Sequence, residues 1–262
     1  MNKYVKKIKQ KYQETKKSSL LVYLILRGLV IVCMIEQILR GDLNNAFLCL
    51  LSLVLFIIPT FIEDELKIKL PSVLETIIYC FIFSAEILGE INNFYGRIPY
   101  WDTILHTLNG FLAAGIGFSL IDLLNENSKN IKLSPVFVAI VAFCFSMTIG
   151  VLWEFFEYGA DTYLRTDMQK DRIVSTISSV EFDPNKNNKS ITIDNIQSTQ
   201  INTNSGIVTI EGGYLDIGIN DTMKDLLVNF VGAVCFSFIG YLYINNREKY
   251  KFASNFIPIK NE

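Results

Sequence analysis

Carboxylates at helical spacing mark the segment from Gly150 to Asp161, GVLWEFFEYGAD, as the part of the sequence best suited to chemistry. The segment ends a long apolar run and carries Glu154, Glu157 and Asp161 three or four residues apart. On a helix this spacing places the three carboxylates on one face. Because each acid would cost roughly 2.5 to 3.5 kcal/mol at the centre of a bilayer, we expect this face to meet protein, water or a cation rather than lipid.

Three further pairs of polar residues show the same spacing near the ends of apolar runs. They are Glu86 with Glu90, Asp102 with His106, and Asp221 with Asp225, and the amides of Asn109 and Asn229 extend the last two faces. All these acids and the histidine are candidate metal ligands, and the two amides are candidate polar support. An oxygen-rich set with one imidazole suits divalent ions such as Mg, Mn, Ca, Fe or Zn. The match to helical-bundle metal sites is loose, since the sequence has one His and no Glu-x-x-His pair.

Two other ways of neutralising these acids stay open. Protons can do so, because burial and crowding of like charges favour the neutral carboxyl. Basic side chains can do so as well, and the candidates at that level are Arg97, Lys224 and Arg165. Asp102 and Asp221 also begin their apolar runs, where a carboxylate suits a helix N-terminus. Simple capping is therefore an equally good interpretation of these two residues.

Six apolar runs must position the candidate residues. Half of the 262 residues are hydrophobic and 19% are charged, and runs of about 18 apolar residues or more predict transmembrane helices. The predicted spans are residues 20–39, 45–62, 71–91, 101–124, 135–158 and 221–244. We therefore predict an all-α polytopic membrane protein with about six transmembrane helices and a small β-hairpin insertion between the last two.

The predicted organisation has five parts. These are a basic cytoplasmic arm (1–19), five transmembrane helices (20–162), an extracytoplasmic insertion (163–220), the sixth helix (221–245) and a cytoplasmic tail (246–262). Alternating runs at 190–193 and 206–210 predict strands, and the Asn-Ser-Gly and Gly-Gly segments at 204–206 and 212–213 predict turns. A disordered loop rich in Asn and Thr is the alternative for the insertion.

The basic residues predict the orientation. The arm, the 63–70 loop, the 125–134 loop and the tail hold seven, two, two and four Lys or Arg residues. Short basic loops stay on the cytoplasmic side, so both termini are expected to be cytoplasmic in a cell membrane, either inner or plasma. The formal net charge of −2 argues against a nucleic-acid partner. The expected partners are the bilayer and a lipid or envelope substrate.

The motifs together resemble a known family. The residues that carry the resemblance are Glu86 and Gly89-Glu90, Tyr100-Trp101-Asp102, His106, Asn109-Gly110, Trp153-Glu154 with Glu157, and Asp221-Thr222 with Asp225-Leu226, Asn229 and Gly232. This set resembles the YjdF-like family of bacterial inner-membrane proteins, over roughly residues 75–240. The segment from Asp221 to Gly232 also looks like the VanZ-like family. The resemblance implies a polytopic helical protein without specifying an activity, and the long insertion departs from it.

Three functions compete at this point. The first is a metal site, either structural or acting on a lipid or envelope substrate, with Glu154 or Glu157 as general base. The second is a proton- or ion-coupled transporter, for which intramembrane acids are the usual markers. The third is a non-enzymatic envelope or resistance protein that binds a lipid or a partner. The sequence assigns no catalytic residue, and whether the protein is an enzyme stays open.

Overall fold

The structure is a computed structural model that describes residues 17–127 and 132–260, and it gives only the backbone of residues 17, 18, 66, 126, 127, 259 and 260. Residues 1–16 of the predicted arm lie outside the described part. The helices are α1 Lys17–Arg40, α2 Leu43–Leu55, α3 Ile58–Leu66, α4 Ser72–Ile82, a π-helix Phe83–Ile91, α5 Phe94–Arg97, α6 Trp101–Asn127, α7 Pro135–Leu164 and α8 Ile219–Asn245.

Within the described residues, six helical segments are long and apolar enough to cross a membrane. They are Ser19–Arg40, Leu43–Glu65, Ser72–Ile91, Trp101–Asn125, Pro135–Leu164 and Ile219–Asn245. Apolar side chains stand outward along them, for example Val32 at 64% and Leu227 at 63% exposure, as expected for surfaces that meet lipid. The structure thus confirms the predicted fold class of six transmembrane helices.

Two of the six segments are not single α-helices. The second breaks between α2 and α3, where Pro59 lies in the first turn of the new helix. Proline is tolerated there because the first amides of a helix have no partner within it. In the third segment the α-helix gives way to the π-helix, in which the Asn92 amide reaches back five residues to the Ile87 carbonyl, at 3.1 Å. The sequence predicted the two spans as ranges and predicted neither the start of a new helix at Ile58 nor the π-helix.

The chain divides into two compact units, of which the first comprises residues up to Gly150 and from Leu226 onward. One apolar core of this unit is formed by α6, α7 and α8, where Phe118 and Phe236 are fully buried. Another is formed by α1, α2 and α4, around Val30 and Phe56. Each span thus buries one side of its surface against neighbouring helices and leaves the other to lipid.

Several long-range contacts gather the chain at one end of the first unit, which we call the terminal end. Strand β1 (Ile68–Lys69) pairs antiparallel with the strand Ile259–Lys260. Ser19, in the first turns of α1, donates a hydrogen bond to Glu75 at 3.1 Å. Arg247 donates to both carboxylate oxygens of Asp122, each at 2.9 Å. We call the opposite end of this unit, where α6 begins, the distal end.

The second unit, residues 151–225, contains the predicted β insertion. Its strands are β2 Ile173–Val174, β3 Ile177–Ser179, β4 Ile191–Ile193, β5 Ser198–Thr203, β6 Gly206–Glu211 and β7 Tyr214–Leu215, so that Ile259–Lys260 is β8. They form three antiparallel pairs, β2 with β7, β3 with β4, and β5 with β6. The β5–β6 pair turns between Thr203 and Gly206, where the sequence predicted a turn. These pairs confirm a small β insertion between the last two spans.

Candidate functional site

Asp102 and His106 form a polar pair in the first two turns of α6. The Nε2 atom of His106 lies 3.3 Å from the Oδ1 atom of Asp102, and their side chains are 13% and 23% exposed. The pair is local because residues four apart lie on one face of a helix. Two ligands bonded to one ion at about 2.1 Å, with an angle near 100°, are about 3.2 Å apart. The separation is that of an imidazole–carboxylate ion pair, and it also suits two donors to the same cation.

Asn109 and Asn229 meet where α6 crosses α8. The Asn109 side-chain amide donates to the Asn229 Oδ1 atom at 3.1 Å. The Asn229 side chain is 1% exposed, and its Nδ2 atom would lie 2.6 Å from a Cβ placed on Gly150. The hydrogen bond joins α6 to α8 one turn further into the bundle than His106. The sequence predicted that both asparagines support the site.

Glu86 and Glu90 lie in the π-helix. Glu86 is 7% exposed, and Glu90 is partly buried. The indole Nε1 of Trp101 donates to the Ser84 carbonyl at 3.3 Å, which ties this helix to the start of α6. Segments of π-helix are rare and occur often at functional sites. Sequence reasoning found the two acids but could not find the π-helix that carries them.

In the second unit, two of the predicted ligands are engaged by the loop that follows α7. Asp161 accepts backbone amides of Met168 and Gln169 at 2.7 and 2.8 Å. Asp221 accepts the amide of Lys170 at 3.0 Å and a guanidinium nitrogen of Arg172 at 3.1 Å. These bonds give both acids a structural role in shaping the loop.

The remaining predicted ligands of this unit are buried. Glu154, Glu157 and Asp225 are 5%, 7% and 2% exposed. Glu157 accepts the indole N–H of Trp153, one turn earlier on α7, at 2.7 Å. Lys224 places its Nζ atom 3.7 Å from the Oδ1 atom of Asp225. The second unit thus buries three carboxylates that were predicted as ligands.

The basic partners differ in part from the predicted ones. Lys224 was a predicted counter-charge, and it lies beside Asp225. Arg172 was not predicted, yet its guanidinium pairs with Asp221 across 49 residues of sequence. A contact made by a loop residue at that separation leaves no periodic signal in the sequence. Asp171 lies among other acids of this loop region. Burial, together with the charges of Asp167, Asp216 and Asp161, raises the pKa of Asp171.

Comparison with known proteins places the chain among membrane proteins. A family model described as "Predicted membrane protein (DUF2238)" matches residues 20–246. A Thermotoga maritima protein described as "Uncharacterized protein" is 29% identical over 102 residues, which are 39% of this chain and 51% of that relative. The chain thus spans about half the length of the curated relative that it matches. No solved structure matches the chain.

Proposed function

We propose that this protein, whose chain belongs to the DUF2238 family of predicted membrane proteins, binds a divalent cation. The proposed ligands are Asp102 and His106. The observation that carries the proposal is the 3.3 Å separation of the His106 Nε2 and Asp102 Oδ1 atoms within a membrane-spanning segment. A neutral imidazole and a carboxylate together suit Mn, Fe or Zn, and further carboxylates extend the choice to Mg and Ca.

Asp225, a ligand predicted from the sequence, is the proposed third ligand. It lies four residues, one helical turn, before Asn229 on α8. Glu86, Glu90, Glu154 and Glu157 complete the proposed set, as ligands or as acids whose charge the cation offsets. Asp161 and Asp221 shape the adjoining loop in this proposal, because both of their carboxylates accept loop amides.

The proposed centre serves either to hold the spans together or to activate water for chemistry on a lipid or envelope substrate. A bound cation lowers the pKa of its water and polarises a carbonyl or phosphoryl oxygen. Glu154 or Glu157 is the general base in the catalytic version. We place the protein in the inner or plasma membrane with both termini in the cytoplasm, following the basic loops. The finer likeness to YjdF-like and VanZ-like proteins stays a prediction.

The metal content of the purified protein tests this proposal. Elemental mass spectrometry on the detergent-solubilised protein, loaded separately with Mg, Mn, Ca, Fe and Zn, is expected to find about one equivalent of one ion. His106→Ala, Asp102→Asn and Asp225→Asn are each expected to lose it. The matched control is Glu36→Gln, which removes an acid from an exposed Glu36–Arg40 pair on α1. A parent protein without stoichiometric metal after loading with all five ions would overturn the proposal.

A further inference from the structure

A cavity of about 210 Å³ lies in the first unit, between the third span and α6. Thr76 and Cys80 of α4 line one side, with Ser84 of the π-helix. Trp101, Ile104 and Leu108 of α6 line the other. Apart from a few small polar groups the wall is hydrocarbon and aromatic, so the cavity is suited to an apolar occupant.

The cavity lies beside the Asp102–His106 pair and at the same depth. Leu105 faces the cavity, and His106, the next residue, forms the polar pair. One turn earlier, Trp101 likewise lines the cavity, and Asp102, the next residue, belongs to the polar pair. Successive residues differ by about 1.5 Å along a helix and by about 100° around it. An apolar ligand in the cavity therefore has its outer end level with Asp102, and His106 lies one turn deeper along the same helix.

The rim of the cavity is held in place by two contacts of Trp101. Its indole N–H donates to the carbonyl of Ser84, another lining residue, at 3.3 Å. Its ring packs edge-on against Phe94, with centroids 5.0 Å apart. Tryptophan typically lies at the boundary between hydrocarbon and head groups. The rim thus marks the distal end of α6 as a boundary between the acyl and polar regions of the membrane.

The size and the opening of the cavity limit what can occupy it. Ile104 is 58% exposed, and Cys80 is exposed, so the cavity opens at the surface of two membrane spans. That surface meets lipid chains. At about 30 Å³ each, about seven methylene-sized groups fill the cavity, whereas pockets for complete small molecules measure about 300 to 1,000 Å³. The cavity accommodates a segment of an alkyl chain and excludes a head group.

We propose that the cavity binds one acyl chain of a glycerophospholipid, whose head group lies at the Asp102–His106 pair. The acyl site stands on the cavity alone. The assignment of this lipid as the ligand of the metal centre rests on the proposed function, since a divalent cation bound there pairs with the phosphate of the head group.

A matched pair of cysteine variants tests the acyl site. Cys80 and Cys144 are both exposed in membrane spans, and only Cys80 lines the cavity. Native mass spectrometry of the full-length protein with added phosphatidylglycerol is expected to show one retained lipid in the parent and in Cys144→Phe. Cys80→Phe is expected to retain it about tenfold less, because the phenyl ring displaces two or so buried methylene groups. Equal retention in the two variants would overturn the proposal.

Photo-crosslinking of the unsubstituted protein provides a second measurement that no folding defect can obscure. Phosphatidylglycerol with a diazirine in its acyl chain is expected to label peptides containing Cys80 and Ile104, and unlabelled lipid is expected to compete. Labelling spread over exposed residues of the spans such as Leu24 and Val54, without saturation, would contradict the proposal. Native spectra that show a dimer without bound lipid would contradict it as well.

The same experiments separate the two proposals. Loss of lipid in Cys80→Phe, in a protein that never binds metal, leaves the acyl site standing and removes the metal centre. Bound metal together with unchanged lipid retention in Cys80→Phe removes the acyl site and leaves the metal centre standing. In His106→Ala, loss of the metal with a retained but more weakly bound lipid supports the link between head group and cation. Unchanged lipid binding there removes that link.

Discussion

At the scale of single residues, the carboxylates of this chain differ in what their oxygens accept. Asp183 accepts the amides of Asn185, Asn187 and Lys189, and Asp161 is used in a similar way. Such acids close loops on themselves. Asp102 lies beside an imidazole on its own helix. Acceptance of several loop amides therefore identifies acids that shape loops, which residue type and spacing alone do not.

Asp216 allows the loop role to be tested by pH. Burial by itself would raise the pKa of Asp216, but hydrogen bonds from the Arg172 amide, the Asn220 side chain and the amides of Gly218 and Asn220 outweigh it, so the pKa lies below its usual value of 3.8. A carboxylate with a lowered folded pKa stabilises the fold above the unfolded pKa, and that contribution is lost as the pH falls through the folded value.

We therefore expect Asp216→Asn to loosen the loop around Arg172 and the first turn of α8 at neutral pH. Hydrogen–deuterium exchange, corrected for the intrinsic effect of pH, is expected to be faster in the variant at pH 7. The difference from the parent is expected to shrink as the pH falls from about 4 through the lowered folded pKa, where the parent also loses the charge. Peptides of α1 serve as the internal reference. A difference that persists unchanged at low pH would show that the charge is not the cause.

At the scale of elements, the crossing of α6 and α8 depends on two glycines. A Cβ on Gly110 would lie 2.1 Å from the Asn229 carbonyl oxygen, and one on Gly232 would lie 2.0 Å from the Thr107 carbonyl oxygen. Backbone atoms cannot move aside as the end of a side chain can. Small residues permit such close approach of helices in membranes. The crossing also sets the hydrogen bond between Asn109 and Asn229.

Alanine substitution tests this crossing. Gly110→Ala and Gly232→Ala are each expected to destabilise the protein by about 1 to 3 kcal/mol, because the helices must separate. The control is Gly159→Ala on α7, where a Cβ would meet nothing within 4 Å. That change is expected to be neutral or slightly stabilising, since alanine favours helix. Thermal unfolding in detergent provides the comparison, and equal midpoints for the three variants would contradict the proposed role of the crossing.

The sequence predicted the elements well where hydrophobicity alone decides. Six apolar runs gave six spans, and the Asn-Ser-Gly turn gave the β5–β6 hairpin. It did not predict the π-helix, because hydrophobicity does not distinguish α from π hydrogen bonding. The bond from the Trp101 indole to the Ser84 carbonyl, 17 residues away, also leaves no periodic signal in the sequence.

In the candidate site, too, local contacts were predictable from the sequence and long-range contacts were not. The Asp102–His106 pair follows from helical spacing and is present at 3.3 Å. The bonds of Asp221 to Lys170 and Arg172 do not follow from it, since they span 51 and 49 residues and involve an irregular loop. Periodicity identifies which residues share a face of one helix, but it carries no information about what a distant loop brings to that face.

At the scale of the whole molecule, the C-terminal segment bears on the choice between a binding site and a transport path. Its basic residues predict a tail in solution, yet Ala253 and Ile257 are 0% and 4% exposed. The Phe256 ring packs against Phe111 of α6, with centroids 5.6 Å apart. Phe111 lies ten residues, about 15 Å, from the distal start of α6. The segment therefore enters the bundle from the terminal end, which favours a site open at one end over a path through the membrane.

The basic loops predict the orientation of the bundle in the membrane. If the terminal end is cytoplasmic, the loops at the two ends of α6 lie on opposite sides of the membrane. Arg97 and Lys132 belong to these loops, and both are exposed. In a background without the five native cysteines, Arg97→Cys is expected to react with an impermeant maleimide in intact cells, and Lys132→Cys only after permeabilisation. The reverse pattern would place the Asp102–His106 pair near the cytoplasm. A lipid ligand of that pair would then come from the inner leaflet.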